Sequence, residues 1–318
     1  MTPMEKVGIL FLGGAKRVSM AEKFISAGQS LGVEVAIYSY ELSREVPVSA
    51  VAGILTGLKW GDPGIYEDLH TKVISHSISL MVPFVDGAVE VAARYRDLYG
   101  GVTVPAGDAA SAALMFDKVE ADRVFREKGL PVPSSDRFPL IAKPRFGSAS
   151  KGIKIIADET EFRPFAGNPD YLLQEYISPR REITVDCYVS LAGEIIAAVP
   201  RYRLETQGGE ASVTETFRDR EVEELARNTL RLTGLRGAVT IQMLRDTRDN
   251  RLMLMEINPR LGGGAVCACH AGADLPGFIL RDTLGLPLEP FDGWKSHIRI
   301  CRYMSEVAFD MSASPNDN

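Results

Sequence analysis

Cysteine is scarce. The chain of 318 residues has four, with no spacing that suggests a disulfide framework, so a reducing cytoplasm is the expected setting. Histidine is as rare, and His70, His76 and His297 have no patterned partner, so they read as surface or packing residues. Cys267-Ala268-Cys269-His270 does put soft ligands close together. No second cluster completes a zinc site, and the segment reads as small-residue packing. No apolar run approaches the ~20 residues that a membrane helix needs. The strand-like run Val7 to Leu12 comes so early that no signal peptide is expected before it. Excess positive charge is also missing. A net charge of −6 speaks against a broad nucleic-acid surface while allowing a local basic pocket for an anion. Gly8 and Gly13-Gly14 do not make G-x-G-x-x-G, which disfavours a nicotinamide dehydrogenase. Neither a repeat of 20–50 residues nor a low-complexity tract is found.

What is present is the balance of a globular protein: 45% apolar and 25% charged residues, in a chain long enough for two or three lobes. Val7 to Leu12 predicts a strand, about Ser19 to Leu31 a helix, and Val33 to Tyr38 a second strand, together a parallel α/β unit. Leu80 to Val85 and Val102 to Pro105 read as further strands around a helix from Ala88 to Tyr99. A helix from Phe116 to Lys128 follows, stopped by Gly129. From about residue 139 the pattern becomes β, except for a helix near Arg220 to Leu232. That helix has its apolar stripe at Val222, Leu225, Ala226, Thr229 and Leu230. The fold class is α/β, with α+β character in the second part.

Chemistry concentrates in three places. Val239 to Leu244 and Leu252 to Asn258 predict a hairpin across the polar turn Arg245 to Arg251. Alternation puts Glu256 and Asn258 on one face, with Gln242 opposite Glu256 if the turn centres near Asp249. Three side-chain oxygens would converge there, donors suited to a hard cation such as Mg²⁺, with Arg260 just beyond Pro259. The second place is Lys143, which ends the apolar strand Leu140 to Ala142. That is a costly position for an ammonium unless it meets an anion. The loop Gly147 to Gly152 that follows can bring backbone N–H groups to phosphate oxygens, although it is not a G-x-x-x-x-G-K-[ST] loop. The third is Leu172 to Glu182, where a strand and short linker could offer main-chain groups to an adenine edge and Glu182 to ribose hydroxyls.

Taken in order, Asp117-Lys118, Ala142-Lys143-Pro144, the Gly/Ser loop, Gln174-Glu175-Tyr176-Ile177 and Glu256-Ile257-Asn258-Pro259-Arg260 resemble the motifs of the ATP-grasp superfamily. The style is similar to one synthetase half of the carbamoyl phosphate synthetase large subunit. The resemblance implies a Rossmann-like lobe over 1–110 and a small ATP-binding lobe over 111–176. A large lobe with the metal and substrate site would cover 177–310, and a loose tail 311–318. It implies that Lys118 and Lys143 contact nucleotide phosphates and that Gly147, Ser148, Ser150 and Gly152 belong to a loop closing over them. Glu175, Tyr176 and Ile177 become the adenine hinge, and Glu182 the ribose ligand. Gln242, Glu256 and Asn258 become metal ligands, and Arg260, with Lys143, a catalytic group stabilising transferred phosphate. Many relatives carry a carboxylate where this chain has Gln242, which lowers the charge at the metals.

The expected cofactors are ATP and Mg²⁺, with Mn²⁺ able to replace it. The expected reaction is the ATP-dependent joining of a small carboxylate to an amine, with neither nucleic acid nor membrane as partner. Arg201, Arg203, Arg260 and Gly263 are the substrate-side candidates, arginine being suited to a carboxylate. Two other readings stand beside this one: a carbamoyl-phosphate-synthetase-like subunit needing a partner chain, and an ATP-binding regulatory protein without turnover. A homodimer fits any of the three.

Overall fold

The computed structural model describes residues 6–147 and 151–311. Its first sheet is parallel, in the order β3-β2-β1-β4, built from β1 (Lys6–Leu12), β2 (Glu34–Glu41), β3 (Gly53–Thr56) and β4 (Ile78–Pro83). Helices α1 (Val18–Leu31), α2 (Ile65–Ser75) and α3 (Asp86–Tyr99) make the crossovers. Val7 and Ile9 to Leu12 are buried, as a strand covered on both faces requires. One side of this sheet shares a core with the far end of the chain: Phe11, Phe24 and Val82 pack in one cluster with Leu261, Ala265, Leu275, Ile279 and Trp294.

The helix expected over 116–128 is α5 (Lys118–Glu127), and a separate helix, α4 (Ala109–Phe116), precedes it with a break at Asp117. Asp117 is the reason for the break. Its backbone is extended, and its side chain accepts from the N–H groups of Val119 and Glu120, capping α5. A small antiparallel sheet, β6-β5-β7, follows, made of β5 (Leu140–Pro144), β6 (Lys154–Ile156) and β7 (Tyr171–Glu175), with the short α6 (Glu159–Phe162) between the last two.

The largest sheet is antiparallel, in the order β12-β11-β8-β9-β10-β13. Its strands are β8 (Arg180–Val189), β9 (Ile195–Gln207), β10 (Glu210–Thr216), β11 (Gly237–Asp246), β12 (Leu252–Asn258) and β13 (Arg299–Cys301). Helix α7 (Arg220–Thr233) buries Val222, Ala226, Thr229 and Leu230 of its predicted stripe against the core that also holds Ile241, Leu254 and Phe125. The short α8 (Val266–His270) and α9 (Leu275–Thr283) complete the chain. Among the described residues no helix is long and apolar enough to cross a membrane.

Some expectations change. Val102 to Pro105 is reduced to a single bridge between Leu80 and Thr103. Gly208-Gly209 forms the turn of the hairpin β9–β10, both residues at positive φ (58° and 83°). The tail from residue 312 onward lies outside the described residues.

The join between the first sheet and the largest one is tight at Gly237. It has φ +77°, and an added Cβ would stand 2.1 Å from the backbone carbon and oxygen of Pro105. Neither atom belongs to a side chain that could swing away. Gly237→Ala should therefore cost about 2–4 kcal/mol in stability, read as a lower urea midpoint with unchanged slope.

Candidate functional site

The β11–β12 hairpin has the register expected from its sequence: Gln242 faces Glu256, and Thr240 faces Asn258. The polar face is joined by hydrogen bonds along its length. Arg203 Nη1 donates to Gln242 Oε1 at 2.9 Å, and Asn258 Nδ2 donates to Glu256 Oε1 at 3.1 Å. Arg260 Nη2 donates to Asn258 Oδ1 at 3.2 Å, while its Nε donates to Asp86 Oδ1 at 2.7 Å. Asp86 begins α3, so Arg260 ties the hairpin to the carboxyl end of the parallel sheet, where open α/β sheets bind ligands.

The protein donors available to a cation here are one carboxylate and two amides. Among the described residues no group of three or more His, Cys, Asp or Glu side chains gathers at any point that could hold a metal. The amide oxygens of Gln242 and Asn258 already accept from arginines, and Glu256 is the one carboxylate of the three. Such a poor set does not suit a cation caged by protein. It does suit Mg²⁺, which keeps several waters and takes substrate phosphates beside one or two carboxylates.

Opposite in character is Lys143, at 9% exposure near the end of β5. Its Nζ donates to Gln174 Oε1 at 2.8 Å, and Gln174 Nε2 donates to Asp122 Oδ1 at 2.7 Å. Burial pushes the ammonium pKa down, and the negative charges of Glu256 and Asp122 work against that push. Lys118, the first residue of α5, donates from Nζ to the Gly147 carbonyl at 2.6 Å. Arg145 and Asp117 are 2.7 Å apart, so the helix start and the loop start are fastened together. Gly147 and Gly152 both take positive φ, 112° and 75°. Ser148 and Ser150 lie outside the described residues.

In the expected hinge, the Glu175 carboxylate is engaged with Arg251 at 2.7 Å, and its N–H donates to Ser134 O at 2.6 Å. The Tyr176 N–H donates to Pro139 O at 2.7 Å. Ile177 is buried beside Leu244 and Met253. The N–H groups of Glu175 and Tyr176, the Ile177 carbonyl and the Glu175 side chain are thus engaged within the protein. Glu182 is half-buried, 3.0 Å from Arg180 and 3.8 Å from Arg203.

The substrate-side expectation for Arg201 needs correction. Arg201 is 3% exposed, and its Nε donates to Asp186 Oδ2 at 2.6 Å, with Asp186 at 1%. A third contact, to Thr214 Oγ1 at 3.3 Å, occupies another edge of the guanidinium. This arginine neutralises a buried carboxylate and is not open to a substrate. Arg203, two residues along the strand, reaches the hairpin face instead. Gly263 lies against Glu210, where an added Cβ would be 2.5 Å from Glu210 Oε2.

Sequence reading passed over Asp122, Asp186, Glu210, Arg17 and Arg302. Arg17 and Arg302 both hold Glu210, each at 2.7 Å. A signal for Asp186 was available, since an aspartate inside Ile183-Thr184-Val185-Asp186-Cys187 must be buried and hence paired. Nothing local marks the Glu210 cluster, which joins three distant segments.

Two outcomes follow. Arg201→Met should destabilise by about 3–5 kcal/mol, because it leaves Asp186 buried and unpaired; the denaturation midpoint reads this directly. Burial alone would raise the Glu210 pKa, but Arg17 and then Arg302 outweigh it and hold the carboxyl at about 2, below its ordinary 4.5. Because the folded value is the lower one, the stabilisation is complete above pH 4.5 and is lost as pH falls towards 2. Stability curves of Glu210→Gln should lack that acid-limb component.

Residues 167–305 match a family described as ATP-grasp in the biosynthetic pathway with Ter operon. An acetyl-CoA carboxylase of Cryptosporiopsis sp. is 26% identical over 207 residues, covering 58% of this chain and only 9% of the carboxylase. Among solved structures, the biotin carboxylase domain of Hydrogenobacter thermophilus 2-oxoglutarate carboxylase is similar. That structure holds MgADP, ADP and bicarbonate; its TM-score is 0.72 at 20% identity, covering 92% of this chain and 73% of that one. N5-carboxyaminoimidazole synthetase from Staphylococcus aureus, complexed with ADP, gives 0.71 at 15% identity, covering 90% and 79%. The chain thus has the ATP-grasp fold, and residues 167–305 are similar to an ATP-grasp family; neither likeness singles out the carbamoyl phosphate synthetase half that the motifs suggest.

Proposed function

We propose that the chain is an ATP- and Mg²⁺-dependent ligase that activates a small carboxylate as an acyl phosphate and joins it to an amine. The observation that carries this reading is the polar face Glu256–Asn258–Arg260 within electrostatic reach of the buried Lys143. That pairing suits phosphoryl transfer, in which the protein's part is positioning and charge stabilisation rather than covalent attack. The lobe division at 1–110, 111–176 and 177–310 belongs to the same reading. The small sheet β6-β5-β7 would cover the nucleotide over the β11–β12 face.

In the first step a substrate carboxylate oxygen attacks the γ-phosphorus. An O–P bond forms, the bond to the β-phosphate oxygen breaks, and ADP leaves. In the second, the amine nitrogen attacks the acyl carbon, inorganic phosphate departs with the C–O electron pair, and the nitrogen gives up one proton, which the phosphate can take. Lys118 and Lys143 hold the phosphates, and the main chain of Glu175 to Ile177 meets the adenine. Arg260, kept in place by Asp86, faces the charge that develops on the transferred group. Glu256, with Gln242 and Asn258 beside it, would hold Mg²⁺ or Mn²⁺, which would neutralise phosphate charge. Arg203 and Arg260 remain as carboxylate-binding candidates, with Gly263 at the pocket wall. Arg201 drops out.

The similar proteins are carboxylases and a carboxyaminoimidazole synthetase, which favours bicarbonate as one acid to test. The measurement is ADP release over pairs of carboxylic acids and amines, with bicarbonate in one arm. Acceptor-dependent ADP release supports the ligase. Release that requires a co-purifying glutaminase or a second ATP-grasp chain points to a split synthetase. ATP-induced stabilisation without release under any acceptor points to a regulatory protein. Glu256→Ala should lower ADP release by about a hundredfold or more while the protein stays folded; wild-type release from that variant would sink the metal assignment. Lys143→Ala should weaken ATP binding by calorimetry, and unchanged affinity would count against the nucleotide cleft.

A further inference from the structure

Behind the cleft, three side chains from three elements form a buried polar line. Lys143 Nζ donates to Gln174 Oε1 at 2.8 Å, Gln174 Nε2 donates to Asp122 Oδ1 at 2.7 Å, and Arg126 Nε donates to Asp122 Oδ2 at 2.7 Å. Lys143, Gln174 and Asp122 are 9%, 1% and 8% exposed. The sheet register explains the first contact. Lys143 pairs with Leu172 and Ile141 with Gln174, so Lys143 and Gln174 are diagonal neighbours on one face of β5–β7. Asp122 reaches that face from α5.

The chemistry allows only one order. A lysine ammonium can only donate and an ionised aspartate can only accept, so the residue between them must accept at one end and donate at the other. Glutamine does so. A glutamate there would oppose Asp122, and an apolar residue would leave the Lys143 ammonium without its direct acceptor. The line also uses one of the three Lys143 N–H donors and leaves two for an anion. Asp122 stands one helical turn after Lys118, which fastens the loop at Gly147. One short helix therefore governs both lysines.

We propose that Asp122, acting through Gln174, is a positioning residue that fixes the Lys143 ammonium for the nucleotide phosphates. The proposal rests on the reading of Lys143 as a phosphate ligand. No chemistry is assigned to Asp122 itself, which stays behind the lysine and never meets the reacting atoms.

The test is calorimetric binding of MgATP to the full chain carrying Asp122→Ala, Gln174→Met and Lys143→Ala, singly and in the two double combinations with Lys143→Ala. Gln174→Met keeps volume and leaves the Asp122–Arg126 pair intact, so it decides the matter if Asp122→Ala fails to fold. Each relay variant should weaken MgATP by about tenfold, the worth of one hydrogen bond to a charged group. In the Lys143→Ala background neither should weaken it further, because coupled residues are not additive. The proposal is overturned if a folded relay variant binds MgATP as wild type does, or if its loss persists in full without Lys143. A wild-type chain that binds no MgATP, or a Lys143→Ala chain that binds it normally, would overturn the nucleotide-cleft reading instead. A weakened Lys143→Ala beside unaffected relay variants overturns the relay alone.

Discussion

An ammonium buried near the end of a strand governs the architecture of the candidate cleft. Removing Lys143 from water is unfavourable unless its charge is answered, and three different elements answer it. Gln174 supplies the direct acceptor from β7, Asp122 supplies charge from α5, and Glu256 supplies charge from β12. Those elements belong to two sheets and a helix that share no continuous stretch of chain. One charge therefore constrains how the small sheet, the helix before it and the β11–β12 hairpin lie together. A cleft that takes polyanionic phosphates, as proposed, can tolerate a cation that its own protein only partly compensates.

The other joints between parts of the molecule are arginine–carboxylate contacts of similar kind. Arg260 to Asp86 links the hairpin to the parallel sheet, and Arg17 to Glu210 links that sheet to the β9–β10 turn. Arg251 to Glu175 links the hinge to the β11–β12 turn. Arginine suits these places because its planar fork holds a carboxylate in a fixed direction. These pairs are partly buried, and the depressed Glu210 pKa shows that such a pair also adds stability. They hold the walls of the cleft in register, in front of the shared apolar cores.

Legibility followed the range of the interactions. The hairpin register of Gln242 and Glu256 was readable because alternation and turn position are local. The stop at Gly129 and the stripe on α7 were readable for the same reason. The helix start near Asp117 was readable, but the short α4 (Ala109–Phe116) before it was missed, being eight residues of mostly small side chains. Strands β3 and β10 were missed for a different reason. Gly53-Ile54-Leu55-Thr56 is short, and Glu210 to Thr216 is largely polar, so each is a strand because of the neighbour it pairs with. Arg201 and Arg203 could not be told apart by sequence, since both end an apolar strand on the same face. Their different roles come from Asp186 on β8 and Gln242 on β11, partners brought alongside by sheet order.

The run Gly262-Gly263-Gly264 shows how far that non-local crowding reaches. Flexibility is the usual reading of three glycines, yet each lies against a definite neighbour. A Cβ would meet Thr240 Oγ1 at 2.9 Å from Gly262, Glu210 at 2.5 Å from Gly263 and the Arg201 guanidinium at 2.6 Å from Gly264. The absence of side chains here lets one buried ion pair and one partly exposed arginine–glutamate cluster approach the backbone just after Arg260. The pocket wall is thus lined by charges already matched within the protein. A substrate carboxylate entering this space would find Arg201 and Arg17 occupied. It would depend on Arg203 and Arg260, whose present partners are two neutral amides, Gln242 and Asn258, besides their carboxylates. Arg203 can leave its amide for an anion without stranding a charge, whereas freeing Arg201 would strand the buried Asp186, and Arg260 can give up Asn258 while keeping Asp86. On the proposed reading, that difference separates Arg203 and Arg260 from Arg201.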